Sequence, residues 1–189
     1  MAPAFVRVPV SESLVMAESA ADFYADDPVF AYLLGKKNGP MQRRLVLRNC
    51  IVTSDATQSI YSDDSRKAFV HVVEPGSWDG NLHQFILRGT MKIPFVIDSD
   101  AIARLSDYRD ACVKAMPREG LSHISAVYFS DGCDDLASRV LESVSEGIGA
   151  CYSVVHTGRE ASVFERAGFV QHSAFDFRGI GCRVMFRAD

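Results

Sequence analysis

The segment Arg159-Glu160-Ala161-Ser162-Val163-Phe164-Glu165-Arg166-Ala167-Gly168-Phe169 decides the fold expected for this chain. Its spacing predicts a short helix over Ala161–Ala167, and a glycine such as Gly168 typically ends a helix of this kind. Apolar runs on both sides indicate strands: one over Ala150–Val155, and a hairpin over Val170–Phe186 that turns at a glycine. The carboxyl-terminal part therefore reads strand, helix, strand, strand.

Strands and helices also alternate in the preceding part of the chain. Ser122–Phe129 is an apolar strand and Leu136–Glu146 a helix, while Gln58–Tyr61 and Ala68–Val73 form a hairpin around a polar turn. Leu82–Met116 reads as helical, with a break at Pro94. The central hairpin excludes a purely parallel sheet, and the alternation with helices excludes an all-β sandwich.

The amino-terminal part is predicted to be a strand followed by helices. The predicted segments are a strand over Phe5–Val10, a helix that starts after Ser11 and runs to Phe23, a helical turn over Val29–Leu34, and a helix over Met41–Val52. Asp27-Pro28 interrupts the helical pattern because the residue before a proline avoids the helical region. Arg43, Arg44 and Arg48 are expected on the solvated side of the Met41–Val52 helix.

Composition favours one domain that spans residues 1–189. Apolar residues make up 48% of the 189 residues and charged residues 23%, so a sizeable core is available. The net charge of -4 gives no general attraction to nucleic acid or to an anionic membrane, and no apolar run is long enough to span a bilayer. The five cysteines are scattered and odd in number, which favours free thiols and a cytoplasmic location over a disulfide framework or a metal site.

Three segments resemble the GNAT acyltransferases. Arg159–Phe169 resembles the N-x-P-F-Y-E-R-x-G-F segment of that superfamily, and Gly181–Arg187 resembles its last strand with the frequent M-x-R ending. Ala21–Phe30 (ADFYADDPVF) resembles the A-F-x-x-D-P ending of the first helix in the subgroup of puromycin acetyltransferase. The resemblance implies an α/β fold with a mixed, mostly antiparallel sheet. It also implies that Ser122–Phe129 and Ala150–Val155 lie side by side, run parallel and splay apart.

The resemblance implies an acetyl-CoA phosphate loop that this sequence has largely lost. The family pattern is Gln/Arg-x-x-Gly-x-Gly/Ala at a helix start, and the residues here are Gly132, Cys133, Asp134, Asp135, Leu136 and Ala137, of which only Ala137 matches. Backbone N–H groups at a helix start hold phosphate. Two like charges at 4–6 Å repel by about 3–4 kcal/mol at an effective dielectric near 20, so Asp134 and Asp135 oppose a pyrophosphate. The structural alternative is that both aspartates stabilise the helix end.

If acetyl-CoA binds at all, Phe129, Cys133, Leu136 and Ala137 are the residues expected to contact it. A second departure from the family concerns the leaving group. Many members use the tyrosine of F-Y-E-R to protonate the departing CoA thiolate, whereas Phe164 stands at that position and has no proton to donate. Two losses in one reaction make acetyl-CoA a doubtful cofactor.

Candidate proton-handling residues lie at strand ends. His156 follows the strand Ala150–Val155, at the end where open α/β sheets bind ligands, and His71 and Glu74 lie on and beyond the second hairpin strand. Trp78, Ser130 and Thr157 are expected to line the same cleft. The alternatives are ordinary packing for Trp78 and satisfied polar positions for His71, Glu74 and His156.

Two functions remain open from the sequence. One is a GNAT-fold protein with an eroded acetyl-CoA site, whose cleft binds a small molecule or serves another reaction. The alternative is an acyl-CoA-dependent N-acetyltransferase that acts on a small amine.

Overall fold

The computed structural model describes residues 5–9, 12, 16, 20–52, 58–75 and 100–188, except for the side chains of 48–52, 58 and 102. In chain order the elements are β1 (Phe5–Arg7), α1 (Pro28–Leu34), α2 (Pro40–Val52), β2 (Gln58–Asp63), β3 (Ala68–Val73), α3 (Ala101–Ala115), β4 (Ser122–Phe129), α4 (Asp134–Ile148), β5 (Cys151–Val155), α5 (Gly158–Arg166), β6 (Val170–Phe177) and β7 (Ile180–Arg187). Residues 20–23 are helical and lead into a 3-10 turn, Tyr24–Asp26.

The strands form one seven-stranded sheet in the order β1-β2-β3-β4-β5-β7-β6. All neighbouring strands are antiparallel except β4 and β5. That parallel pair is joined only at its start, where Ser122 pairs with Cys151 and His123 with Tyr152. The two strands separate towards their carboxyl ends. The predicted mixed sheet, with a splay between these two strands, is confirmed.

A β-bulge interrupts the ladder between β3 and β4. His71 pairs with Ala126 and Val72 pairs with Ile124, so Ser125 has no partner residue on β3. An extra residue of this kind bends its strand and increases the local twist. Because β4 is one of the two strands that separate, the bulge lies beside the opening of the sheet.

Local sequence accounts for both ends of α5. Thr157 is the N-cap and forms a capping box with Glu160. At the other end, Gly168 has a φ of +83°, and the N–H groups of Gly168 and Phe169 donate to the carbonyls of Glu165 and Phe164. The Phe164 and Phe169 rings meet edge to face at 5.0 Å, which completes the usual hydrophobic contact of this cap.

The core lies on both faces of the sheet. Helices α4 and α5 cover a cluster that contains Val70, Val72, Ile124, Leu141 and Phe164. On the other face, Phe69 packs with Tyr24, and α3 covers a cluster around Tyr152 and Val184. Phe164, which stands at the position of the family tyrosine, is thus a core residue with 2% of its surface exposed.

One expectation about α2 is wrong. Arg43 does not lie on a solvated face: it is buried, and its guanidinium donates to the carbonyls of Ala21 and Asn38. It therefore ties α2 to the helical residues before the 3-10 turn. Arg44 is exposed as expected, and its Nη2 lies 3.9 Å from Asp22 Oδ2. The side chain of Arg48 lies outside the described residues.

Several other expectations fall wholly or partly outside the described residues. They concern most of the helix after Ser11, residues 82–99 of the predicted Leu82–Met116 helix, and the side chain of Cys50. The other four cysteines are free thiols. Among the described helices, none has the length and hydrophobicity needed to cross a membrane.

Candidate functional site

His156 lies directly after β5, at the open end of the splayed strand pair. Its ring contacts two side chains from other parts of the chain. His156 Nδ1 lies 3.1 Å from Asp27 Oδ2, and His156 Nε2 lies 2.5 Å from the Tyr108 hydroxyl. The three side chains form one hydrogen-bonded row from α1 through β5 to α3.

Each member of this row is held by a second contact. Asp27 caps α1, since its Oδ1 accepts from the Phe30 N–H at 2.8 Å, and the carboxylate is 5% exposed. Tyr108 meets the Phe177 ring edge to face at 5.3 Å. The backbone N–H of His156 donates to Glu160 Oε2 at 3.2 Å. This support fixes the ring orientation, as in sites where a carboxylate orients a histidine.

Burial shifts the pKa of two groups in the site. It raises the pKa of Tyr108 well above its usual value, so the phenol keeps its proton at neutral pH. Burial also raises the pKa of Glu160, and the neighbouring His156 opposes that shift. The site therefore combines a proton donor, an imidazole and two carboxyl groups.

Asp27, His156 and Glu160 each offer a ligand atom, and these atoms lie within 4.8 Å of one another. Two carboxylates and an imidazole at this spacing are suited to a cation, either a metal ion or a protonated amine. No metal was expected from the sequence, which has no close-spaced ligand motif.

The two aspartates of the predicted phosphate loop are paired with arginines of α5. Arg159 donates from Nε and Nη2 to the two carboxylate oxygens of Asp134, at 2.9 and 3.0 Å, and Arg166 pairs with Asp135. The bond from Arg159 lowers the pKa of Asp134. Both aspartates lie in the first turn of α4, in agreement with helix-end stabilisation, while the N-cap is Cys133 with no side-chain capping bond.

Arg159 also lies across the carboxyl end of β4. Its guanidinium carbon is 4.6 Å from the centre of the Phe129 ring and 5.8 Å from that of Phe23. The side chain thus connects α5, the end of β4 and the start of α4. A phosphate that approached this helix start would meet an arginine already engaged by Asp134.

The residues expected to contact a cofactor are mostly part of the core. Phe129 and Ala137 are buried, and Leu136 and Cys133 pack against the same cluster. The backbone N–H of Ala137 donates to the Cys133 carbonyl. Their role in binding acetyl-CoA stays a prediction.

The remaining predicted site residues do not form one cluster. His71 is buried and bonded to Ser125, Glu74 is exposed just beyond β3, and neither has a hydrogen bond or ion pair to His156 among the described residues. Ser130 donates its N–H to the Lys67 carbonyl. Thr157 follows His156 and caps α5. Trp78 lies outside the described residues.

Sequence reasoning missed Asp27, Tyr108 and Arg159 as site residues. Asp27 is part of the quoted A-D-F-Y-A-D-D-P segment, which indicates a helix break and carries a resemblance but predicts no role for Asp27 at the site. A carboxylate before a proline that starts a helix is a capping signal, so the cap at Asp27 is predictable from the sequence, but its contact with His156 is not. Nothing in the local sequence marks Tyr108, which meets His156 across 48 residues of chain.

Comparisons with known proteins identify the architecture. No protein-family model matches the chain, and no curated protein sequence matches it. Among solved structures, it is similar to an N-acetyltransferase from Staphylococcus aureus Mu50, with a TM-score of 0.60, 10% identity, and coverage of 97% of this chain and 100% of the other. The fold is that of the GNAT acetyltransferases.

Two further structures with this fold differ in what their names describe. One is the Drosophila melanogaster polyamine N-acetyltransferase, which forms N-acetylagmatine (TM-score 0.59, 14% identity, covering 98% of this chain and 99% of the other). The other is the C-terminal condensation domain of Ebony in complex with beta-alanyl-dopamine (TM-score 0.57, 7% identity, covering 97% of each chain). At these identities the likeness concerns the GNAT fold alone.

Proposed function

We propose that this chain binds a small cationic amine between Asp27, Glu160 and His156, in a GNAT fold whose acetyl-CoA phosphate loop is eroded. The observation that carries the proposal is the partly buried row Asp27–His156–Tyr108 at the open end of β5. We propose a small molecule as the partner, not nucleic acid or a membrane.

Charge supports an amine as the ligand. Two carboxyl groups with at most 9% exposure lie within 4.8 Å of an imidazole, so a protonated amine would find opposite charge in a poorly solvated place. The same groups that attract the amine, the two carboxyl groups and the imidazole, are also the bases that could take a proton from it.

The start of α4 supports the loss of acetyl-CoA recognition. Its acidic groups are held by Arg159 and Arg166, and Asp131 adds a third carboxylate within 3.5 Å of Arg159. Three carboxylates against two guanidinium groups leave this surface without the excess positive charge that a pyrophosphate needs.

A second candidate, an acyl-CoA-dependent N-acetyltransferase acting on a small amine, is favoured by Tyr108. This phenol is protonated at neutral pH and is bonded to His156, so this candidate assigns to it the role of the acid for a departing thiolate, since Phe164 has no proton to donate. Amine binding is common to both candidates, and only the acyl donor separates them.

Calorimetry with two ligands tests the proposal. Agmatine is the amine probe because a protein of the same fold forms N-acetylagmatine. We expect agmatine to bind and acetyl-CoA to bind with a dissociation constant above about 1 mM, which is less than about 4 kcal/mol of binding free energy. Low-micromolar affinity for acetyl-CoA would instead refute the eroded site and favour the second candidate.

Asp27→Asn and Glu160→Gln remove one charge each and keep the shape of the caps. Each is expected to weaken agmatine binding about tenfold, which corresponds to about 1.4 kcal/mol. Asp22→Asn is the matched control, since Asp22 is 69% exposed. If both buried-site variants bind agmatine as the unmodified chain does, the amine site is refuted.

A further inference from the structure

Ser125 is an exposed serine in a strand whose other residues are buried or half-buried. It is the extra residue of the bulge in β4, and the residues before it, from Ser122 to Ile124, are buried. A bulge re-aims the side chain of its extra residue. This places a hydroxyl at the surface of the sheet.

The hydroxyl contacts a histidine from the neighbouring strand. Ser125 Oγ lies 2.7 Å from His71 Nδ1. His71 alternates with Val70 and Val72, which lie in the core under α4 and α5, so its ring is on the opposite face of the sheet. The pair therefore joins a buried imidazole to the hydroxyl of an exposed serine residue.

The second nitrogen of His71 has no hydrogen-bond partner among the described residues, although it is buried. His71 itself is 7% exposed. A buried polar atom without a partner is uncommon and calls for an explanation, of which a catalytic role is one. An apolar residue would fill a purely structural position without this cost.

Burial keeps the ring neutral. It lowers the pKa of His71 to about 4, so the imidazole is unprotonated at neutral pH. In the tautomer with its proton on Nε2, Nδ1 accepts a hydrogen bond from the Ser125 hydroxyl. A potential nucleophile and a neutral imidazole base therefore lie within hydrogen-bond reach of each other.

We propose that Ser125 and His71 form a nucleophilic dyad that accepts an acyl group from an activated ester or thioester. This site is separate from the proposed amine site, because it includes none of Asp27, Glu160, His156 or Tyr108.

The transfer involves two bonds and one proton. Ser125 Oγ attacks the carbonyl carbon, and His71 Nδ1 takes the hydroxyl proton. The new bond joins Oγ to the acyl carbon, and the bond to the departing alcohol or thiol breaks. His71 then gives the proton to the leaving group, so that an acyl-serine and a free alcohol or thiol result.

The test uses p-nitrophenyl acetate with the full-length chain. We expect a burst of about one equivalent of nitrophenol and one acetyl group that peptide mass spectrometry assigns to Ser125. Ser125→Ala removes both signals. Ser162→Ala, at an exposed serine of α5, is the matched control and keeps both.

His71→Asn separates catalysis from positioning. The asparagine amide can still accept the Ser125 bond near the position of Nδ1 but cannot take up a proton. Acetylation is expected to slow by at least about a hundredfold, the usual contribution of a general base. A merely structural histidine would give unchanged labelling in this variant.

Three results would overturn the proposal: no acetyl-Ser125 in the unmodified folded chain, equal labelling of Ser125→Ala, or unchanged labelling of His71→Asn. If His71→Asn fails to fold, the comparison of labelling between the unmodified chain and Ser125→Ala still tests whether Ser125 accepts the acetyl group. The reagent contains neither an amine nor CoA, so this outcome does not depend on the proposed amine site.

Discussion

Two buried histidines are expected to destabilise this protein as the pH falls. Burial lowers the pKa of His71 to about 4 and, with the nearby His71 ring, lowers that of His123 to about 3, from a usual value of 6.5. The unfolded chain therefore binds protons between about pH 7 and pH 4 that the folded chain does not bind. Stability due to these groups is present above the unfolded pKa and decreases as the pH falls towards the folded one.

The size of the effect follows from the shifts. At pH 5 each histidine is nearly all protonated in the unfolded chain and mostly neutral in the fold. Between pH 7 and pH 5 each one lowers the free energy of unfolding by about 2 kcal/mol, or about 4 kcal/mol together. With a denaturant slope near 2 kcal/mol/M, the urea midpoint falls by about 2 M.

Urea titrations followed by circular dichroism at pH 7 and pH 5 measure this loss. In His71→Gln or His123→Gln alone, the loss between the two pH values should shrink by about 2 kcal/mol. Glu160, whose pKa is raised, acts with the opposite sign in all three proteins and cancels in the difference. If the unmodified chain and both variants lose the same free energy, these rings are not the neutral buried groups inferred here.

Substitutions at four positions test the local packing by the same urea titrations at pH 7. Asp63→Ala leaves three backbone N–H groups without their carboxylate acceptor and should cost about 2–3 kcal/mol; an unchanged midpoint would contradict that role. Thr157→Ala removes the cap of α5 and should cost about 1 kcal/mol, whereas Thr157→Ser should retain most of it. Gly168→Ala places a side chain at a φ of +83° and should lower the free energy of unfolding by about 1–2 kcal/mol; an unchanged free energy would contradict this strain. Phe164→Ala should cost about 3–5 kcal/mol, and less than 1 kcal/mol would mean that the ring is not tightly packed.

Element order was predictable because apolar spacing is a local property of the chain. The strands β3, β4 and β5 were found nearly to the residue from continuous apolar runs. Helix starts were less accurate: α5 begins at Gly158, not Ala161, because the Thr157–Glu160 capping box starts the helix. That signal is present in the sequence as T-x-x-E.

The candidate site was predictable only in part. His156 was expected at a strand end, since the carboxyl ends of strands in open sheets collect ligand-binding groups. Its partners come from residues 27 and 108, and no local pattern reveals which distant side chains the fold brings together. The same holds for Arg159, whose pairing with Asp134 links the two helices that flank the opening.

The short parallel junction of the sheet has a consequence for folding. β4 and β5 share two residue pairs, whereas β7 pairs with β5 at five positions and with β6 at seven. The β6–β7 hairpin closes through a tight turn, so its contacts are local and cost little loop entropy, and β5 pairs with β7 across the short helix α5 and the strand β6. The segment from β5 to β7 is expected to assemble early and to retain its amide protons as one unit, while the amino-terminal strands dock onto it later through α4 and the two-pair junction.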